Sequence, residues 1–211
     1  MKIIVTAGPT REALDPVRFL SNRSSGKMGY ALAHAAARRG HKVTLISGPV
    51  ALTPPAKATF ISITTAAEMF SAVKHRLPRN DALIMAAAVA DWRPSRFSPR
   101  KLKKTNKPWR LRLEPTPDIL MSLRPRKGRW IFIGFAAETD HLLKKARAKL
   151  VAKGLDLIVA NNVSQRGSGF EVNTNRVTLI ARDGRVQALP LMAKTEVAAR
   201  ILDWLEARFA R

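Results

Sequence analysis

Six short runs of apolar, often β-branched residues limit what this chain can fold into: Lys2–Ala7, Val43–Ser47, Phe60–Ile63, Asp81–Ala88, Trp130–Phe135 and Leu155–Ala160. They are nearly continuous rather than alternating, so a strand made from any of them is apolar on both faces and must be covered on both. Segments with helical character lie between them, at Tyr30–Arg39, Ala66–His75 and His141–Lys153, and another, Lys194–Ala210, closes the chain. A short helix is also expected from Pro117, and Gly40 stands where a glycine commonly ends a helix. The order β-α-β-β-α-β on short connections predicts an α/β fold, a Rossmann-like, doubly wound, mostly parallel sheet with helices on both faces. A Gly-rich turn at Gly167–Gly169 then leads to a C-terminal β-hairpin, Arg176–Ala181 with Val186–Leu189, turning at Asp183-Gly184. With 211 residues, 46% of them hydrophobic, the chain has enough apolar surface for one such domain, 1–211.

Residues 93–112 break this rhythm. They carry Arg93, Arg96, Arg100, Lys101, Lys103, Lys104, Lys107, Arg110 and Arg112 and no acidic residue. Alternation in Trp109–Leu113 predicts an edge strand after a mobile basic flap at about 93–108. The whole chain is basic, with 38 Lys+Arg against 15 Asp+Glu and a net charge of +23. Such a charge attracts polyanions: nucleic acid, anionic lipid or phosphorylated small molecules. Aromatic residues are not interleaved with the basic flap as in a single-strand binder. The absence of cysteine excludes disulfides and thiolate metal sites, and His34, His41, His75 and His141 show no metal-ligand spacing. No secretory signal and no apolar stretch of about 20 residues is visible, which makes the cytoplasm the expected location and a membrane span unexpected.

The candidate chemistry gathers where strands end. After the first strand, Asp15-Pro-Val-Arg-Phe-Leu-Ser-Asn-Arg-Ser-Ser-Gly-Lys-Met-Gly29 is rich in hydrogen-bond donors and opens onto an Ala-rich helix. A helix N-terminus offers unpaired N–H groups and a partial positive charge, so this is an anion seat or, equally, a polar loop capped by Ser24 or Ser25. A P-loop is excluded, because the upstream glycine and the Ser/Thr after Lys27 are missing, and no G-x-G-x-x-G follows the first strand, so a dinucleotide fingerprint is absent too. Three further strand ends point the same way: Gly8-Pro9-Thr10, Ala88-Val89-Ala90-Asp91 and Gly134-Phe-Ala-Ala-Glu-Thr139. Asp91 suits a Mg²⁺ ligand, an acceptor for a sugar or base, or an ordinary turn residue. Glu138 suits a metal site, an orienting role or a helix cap. Lys145, Lys149 and Lys153 fall on one helical stripe, a solvated face or a phosphate clamp. No nucleophile-elbow motif supports Ser-His-Asp catalysis.

Taken together, Thr6-Ala-Gly-Pro-Thr-Arg-Glu12, the 15–29 segment, Ala86-Ala-Ala-Val-Ala-Asp91, Lys101-Leu-Lys-Lys104, Thr116-Pro-Asp-Ile-Leu120, Gly134–Thr139 and Asp156-Leu-Ile-Val-Ala-Asn161 resemble the signature of the phosphopantothenate–cysteine ligases. The resemblance runs from about residue 2 to the last helix, in order. It implies that the carboxylate of 4′-phosphopantothenate attacks the α-phosphate of CTP, with Mg²⁺, to give an acyl-cytidylate and pyrophosphate. The amine of L-cysteine then attacks the acyl carbon, releasing CMP and forming the amide. By position, the resemblance gives Asn22 the acyl-cytidylate, with Arg18 assisting from one helical turn away and the Ser24-Ser25-Gly26 turn as the amide-rich seat beside them. Met85, Ala86, Ala87, Asp91, Pro117, Asp118, Ile119, Leu120 and Phe135 are implied nucleotide contacts, Lys149 and Lys153 triphosphate or base contacts. Lys101 is implied as the flap lysine of the cysteine-dependent step, and no metal ligand is assigned.

The resemblance further implies a homodimer in which the flap region takes part. In many bacteria this domain follows a flavin-dependent decarboxylase, fused or separate. Here the ligase-like strand begins at Met1, so no FMN is expected, whether the chain stands alone or belongs to a bifunctional protein. The alternatives are a nucleic-acid-binding protein using residues 93–112, or a diverged ligase taking another acid, another amine or ATP.

Overall fold

A computed structural model describes residues 1–104, 106–162, 164–165 and 167–209, so Ala210, the expected end of the last helix, lies outside the described residues. The chain runs β1 (Lys2–Ala7), β2 (Arg11–Ala13), β3 (Phe19–Ser21), α1 (Lys27–Arg38), β4 (Lys42–Ser47), β5 (Thr59–Ser62), α2 (Ala66–Arg76) and β6 (Ala82–Met85). It continues through β7 (Trp92–Pro94), β8 (Leu113–Pro115), α3 (Ile119–Leu123), β9 (Ile131–Glu138), α4 (Leu142–Ala152) and β10 (Leu157–Asn162). It closes with β11 (Thr174–Asn175), β12 (Val177–Ala181), β13 (Val186–Ala188), β14 (Met192–Ala193) and α5 (Lys194–Phe209).

Eight strands make the central sheet, in the order β13-β12-β10-β9-β6-β1-β4-β5. The six strands from β10 to β5 are parallel, and β12 and β13 extend the edge as the expected antiparallel hairpin. Counted among the parallel strands alone, this is the order of the dinucleotide-binding Rossmann sheet, with its reversal between β1 and β6.

Successive residues of one strand point to opposite faces, which explains the continuous apolar runs. Ile3, Val5 and Ile84 belong to the core under α1 and α5, with Leu32, Ala36, Ile201 and Leu205. Ile4, Leu83 and Phe132 belong to the other core, with Met69, Val73 and Leu150 of α2 and α4. Burying each such large side chain stabilises the fold by roughly 1.5–3 kcal/mol. At Gly29, a Cβ would stand 2.5 Å from Ala7 Cβ and 2.8 Å from Thr6 O, so α1 lies unusually close to β1.

Three expectations are corrected. The Ser24/Ser25 cap does not form: α1 begins at Lys27, after Gly26 in the left-handed region (φ 77°), with no side-chain cap. The apolar run 81–88 is not one strand: the ladder stops at Met85, Ala87 N bonds to the Thr6 hydroxyl, and a single parallel bridge between Pro9 and Ala88 resumes the pairing. Trp109–Leu113 is not an edge strand of the main sheet. The pairing is between Trp92–Pro94 and Leu113–Pro115, a separate two-stranded ribbon in which Pro94 and Pro115 tolerate the missing N–H.

Candidate functional site

Because β4 lies on one side of β1 and β6 on the other, the loops leaving β1 and β6 diverge and open a crevice beyond their carboxyl ends. A cleft of about 630 Å³ occupies this crevice. The expected site residues Asn22, Ser24, Gly26, Met85, Ala86, Ala87, Asp91, Pro117, Asp118, Ile119, Leu120, Phe135, Lys149 and Lys153 all line it. Ser25 instead faces a second, more open groove of about 460 Å³ on the far side of the 22–27 stretch. Arg18 and Lys101 line neither.

The wall at the start of α1 is built from glycines far apart in sequence. Gly8, at φ 70°, turns the chain at the end of β1, and a Cβ on Gly26 would stand 3.4 Å from Gly8 N and 3.0 Å from Val50 Cγ1. Gly29 then permits the close helix–strand contact. These are the three tasks of the dinucleotide fingerprint, a tight turn, close backbone approach and helix packing. They are divided here by the inserted ribbon β2–β3, which is why no contiguous motif is legible. Without a side-chain cap or an acidic residue in its first turn, α1 presents free N–H groups to the cleft, which favours the anion seat over the capped loop.

Asn22 ties this wall to the next. Its side-chain amide donates to Ala88 O (3.2 Å) and Val89 O (3.0 Å). Thr6 Oγ1 accepts from Ala87 N, Thr10 Oγ1 accepts from Ala90 N, and Thr116 Oγ1 donates to Ala90 O. The 86–91 turn is therefore held by bonds to β1, to the β2–β3 ribbon and to the segment before α3. Asp91, at its end, is exposed, and among the described residues nothing donates to its carboxylate.

The lysine stripe is neither a bare clamp nor a solvated face. Lys153 pairs with Asp118 at 2.9 Å, Lys149 with Glu138 at 2.5 Å, and Lys145 with Asp140 and Glu138. Asp118 also caps α3, accepting from Met121 N at 3.1 Å. Glu138 holds lysines and caps no helix.

Arg18 lies at the root of the basic segment rather than on the cleft wall, bonded to Leu102, the residue after Lys101. Arg18 is not one helical turn from Asn22, because strand β3 lies between them. Its guanidinium pairs with Asp15 at 2.8 Å, donates to Leu102 O and lies 5.5 Å from the Trp109 ring centre. Asp15 also accepts from Val17 N, Arg18 N and Leu102 N. Burial pushes its carboxyl up, but those backbone N–H groups and the guanidinium outweigh it and hold the pKa at about 2.

Two polar residues of the cleft escaped the sequence reading of individual positions. Lys194, at the first position of α5, is only 5% exposed. Its ammonium donates to Gly169 O (2.8 Å) and Phe170 O (3.1 Å). Burial and the neighbouring Lys27 lower its pKa to about 8. Asn161, at the end of β10, is 8% exposed, and its Oδ1 has no partner among the described residues. A lysine at a helix start, against the macrodipole, was the available signal for Lys194. Among the described residues no three His, Cys, Asp or Glu side chains converge as a metal cage. Of the cleft carboxylates, Asp118 is engaged by Lys153 and the α3 cap, whereas Asp91 is unpaired among the described residues and would fit only a Mg²⁺ carried by phosphates and water. No helix among the described residues is long and apolar enough to cross a membrane.

The model of the DNA/pantothenate metabolism flavoprotein C-terminal domain matches residues 1–209. The chain is 48% identical over 206 residues to the coenzyme A biosynthesis bifunctional protein CoaBC of Bacillus subtilis, covering 97% of this chain and 51% of that protein. It spans about half the length of the curated CoaBC relatives it matches. The crystal structure of the C-terminal domain of a coenzyme A biosynthesis bifunctional protein CoaBC superposes with a TM-score of 0.86 at 42% identity, covering 99% of this chain and 95% of that one. The DNA/pantothenate metabolism flavoprotein from Streptococcus pneumoniae superposes with a TM-score of 0.85 at 26% identity, covering 99% of each chain. By sequence and by fold, this chain belongs to the family of the DNA/pantothenate metabolism flavoprotein C-terminal domain.

Proposed function

We propose that the cleft joins 4′-phosphopantothenate to L-cysteine, using CTP and an acyl-cytidylate intermediate. A carboxylate oxygen of phosphopantothenate attacks the α-phosphorus of CTP, and the α–β bridging oxygen leaves with pyrophosphate. The cysteine amine then attacks the acyl carbon, CMP leaves with the bonding electron pair, and the amine loses a proton to solvent.

The observation that carries this reading is the convergence of Asn22, Asp91, Asp118, Phe135 and Lys153 on one cleft at the switch point. The task is to hold several anions together and keep a mixed anhydride away from water. The free N–H groups of α1 and the ammoniums of Lys149 and Lys153 suit the phosphates, and Asn22 braces the two walls between which the intermediate would lie. Mg²⁺ would enter on the triphosphate, with Asp91 within the cleft to hold it through water, and would neutralise phosphate charge. Lys101, next to the Asp15–Leu102 anchor, would reach the cleft when the basic segment closes over it. Exposed Phe97, Trp109 and Leu113 along that segment are the proposed contact with a second copy of the chain.

Pyrophosphate release is the direct test. It should require CTP, Mg²⁺ and phosphopantothenate together, proceed less well with ATP, and yield amide only when cysteine is added. If no nucleotide supports phosphopantothenate-dependent pyrophosphate release, the reading falls.

A further inference from the structure

The cleft holds a buried cation whose position is costly in three ways. Lys194 is nearly inaccessible, it occupies the positive end of the α5 dipole, and another ammonium, Lys27, acts on it through space. Among the described residues no carboxylate pairs with Lys194 or with Lys27. Both are held only by neutral oxygens of one loop: Lys194 by Gly169 O and Phe170 O, Lys27 by Glu171 O and Asn173 Oδ1. A lysine ammonium has three N–H donors, so each of these keeps one unspent.

On this geometry we propose that Lys194, with Lys27, binds the β- and γ-phosphates of the nucleotide and then the pyrophosphate that leaves. The inference rests on the ligase reading above and assigns to it a residue and a place. Both lysines line the main cleft, and Lys27 stands in the first turn of α1, whose free N–H groups already favour an anion. Asn161 is an independent sign that the same cleft is built for a ligand. Its Oδ1 is buried with no partner among the described residues, which costs stability unless a ligand donor, such as a sugar hydroxyl, completes it. A doubly or triply charged phosphate chain compensates the buried ammonium of Lys194 and the half-buried one of Lys27 where the carbonyl dipoles of residues 169–171 do so only in part. The same loop is also stapled to the α1 start by Ser25 Oγ donating to Phe170 O, so the phosphate site and the loop that encloses it are one unit.

Calorimetry with Mg²⁺ and three probes, inorganic pyrophosphate, CTP and CMP, tests the proposal without phosphopantothenate or cysteine. Lys194→Met removes the charge at similar volume, and Lys194→Gln removes the charge but keeps a donor for the Gly169 and Phe170 carbonyls. Both variants are expected to weaken pyrophosphate and CTP binding about ten- to hundredfold, the usual worth of one charge-assisted hydrogen bond, and to change CMP binding less than about threefold. Thermal stability should hold or rise, because a costly buried charge is gone. Equal losses for all three probes, or recovery of pyrophosphate binding in Lys194→Gln alone, would reduce Lys194 to a loop anchor and overturn the proposal. Unchanged pyrophosphate binding in both variants would overturn it as well. A wild-type protein that binds none of the probes would bring down the ligase reading itself, whereas tight wild-type binding with indifferent variants sinks only this inference.

Discussion

The side-chain amide of Asn22 donates to the carbonyl of Val89 at 3.0 Å, so the wall carrying the α1 N-terminus and the wall carrying Asp91 are joined across the switch point. A second bond from the same amide, to Ala88 O, makes the brace two-pronged. The bonded loops approach from β1 and β6, the two strands between which the sheet order reverses, and a cleft there would widen if they were free to separate. Asn22 therefore sets the width of the site as well as lining it.

Replacing Asn22 with Asp exchanges a donor for a carboxylate that faces two carbonyl oxygens and would sit beside the proposed anionic intermediate. Turnover is expected to fall by about a hundredfold, the typical loss when one positioned donor is removed. CTP affinity should fall by less than tenfold, because most of the proposed nucleotide contacts lie elsewhere in the cleft. Steady-state kinetics compared with calorimetric CTP binding checks the split. Unchanged turnover would remove Asn22 from the reaction.

Gly29→Ala tests the close packing that sets α1 against β1. The added methyl would meet Ala7 Cβ at 2.5 Å and the Thr6 carbonyl at 2.8 Å, and backbone cannot swing aside as a side chain can. We expect a loss of about 1–3 kcal/mol in urea unfolding, with weaker CTP binding as the helix start shifts. Adding Ala7→Gly removes the nearer of the two contacts and should restore part of the stability. Full stability in the single variant would contradict the geometry.

The parts of this architecture that were legible in the sequence are those with a strong local signal. Ile3–Val5 and Leu83–Ile84 read as buried strands because both their faces are apolar, and the cleft followed from where such strands end. The β2–β3 and β7–β8 ribbons were not legible, since three-residue strands with Pro94 and Pro115 at their ends carry no period. Arg18 was placed wrongly relative to Asn22 because its environment is made by Asp15 and Leu102, a pairing between distant segments. Lys194 escaped because its partners are backbone carbonyls, which no residue type announces.

Asp15 anchors the basic segment, and its anchoring depends on charge. Its folded pKa of about 2 lies below the ordinary value of about 4 for aspartate in an unfolded chain. The carboxylate thus contributes stability that is full above about pH 4 and is lost as pH falls through about 2. Pepsin cleavage within residues 97–113, normalised to an unfolded substrate, should rise across that window. At neutral pH, Asp15→Asn should expose Lys101, Lys103 and Lys104 to trypsin faster than the wild-type chain. Equal rates at neutral pH would show that Asp15 does not hold the segment.

Lys101→Gln separates the two halves of the proposed reaction. Lys101 lines neither cleft in this arrangement, and the residue beside it, Leu102, is fixed to Asp15 and Arg18 by both its N–H and its carbonyl. A charge at that point can act on the second step only if the segment closes after the acyl-cytidylate has formed. Pyrophosphate formation in single-turnover mixtures is therefore expected to stay within about threefold of wild type, whereas amide formation falls by about a hundredfold, within the range for a lost positioned proton donor or acceptor. The acyl-cytidylate should accumulate and be trapped by hydroxylamine. Equal loss of both steps would place Lys101 in the first step or in the fold, and no loss in either would leave the basic segment without a catalytic part.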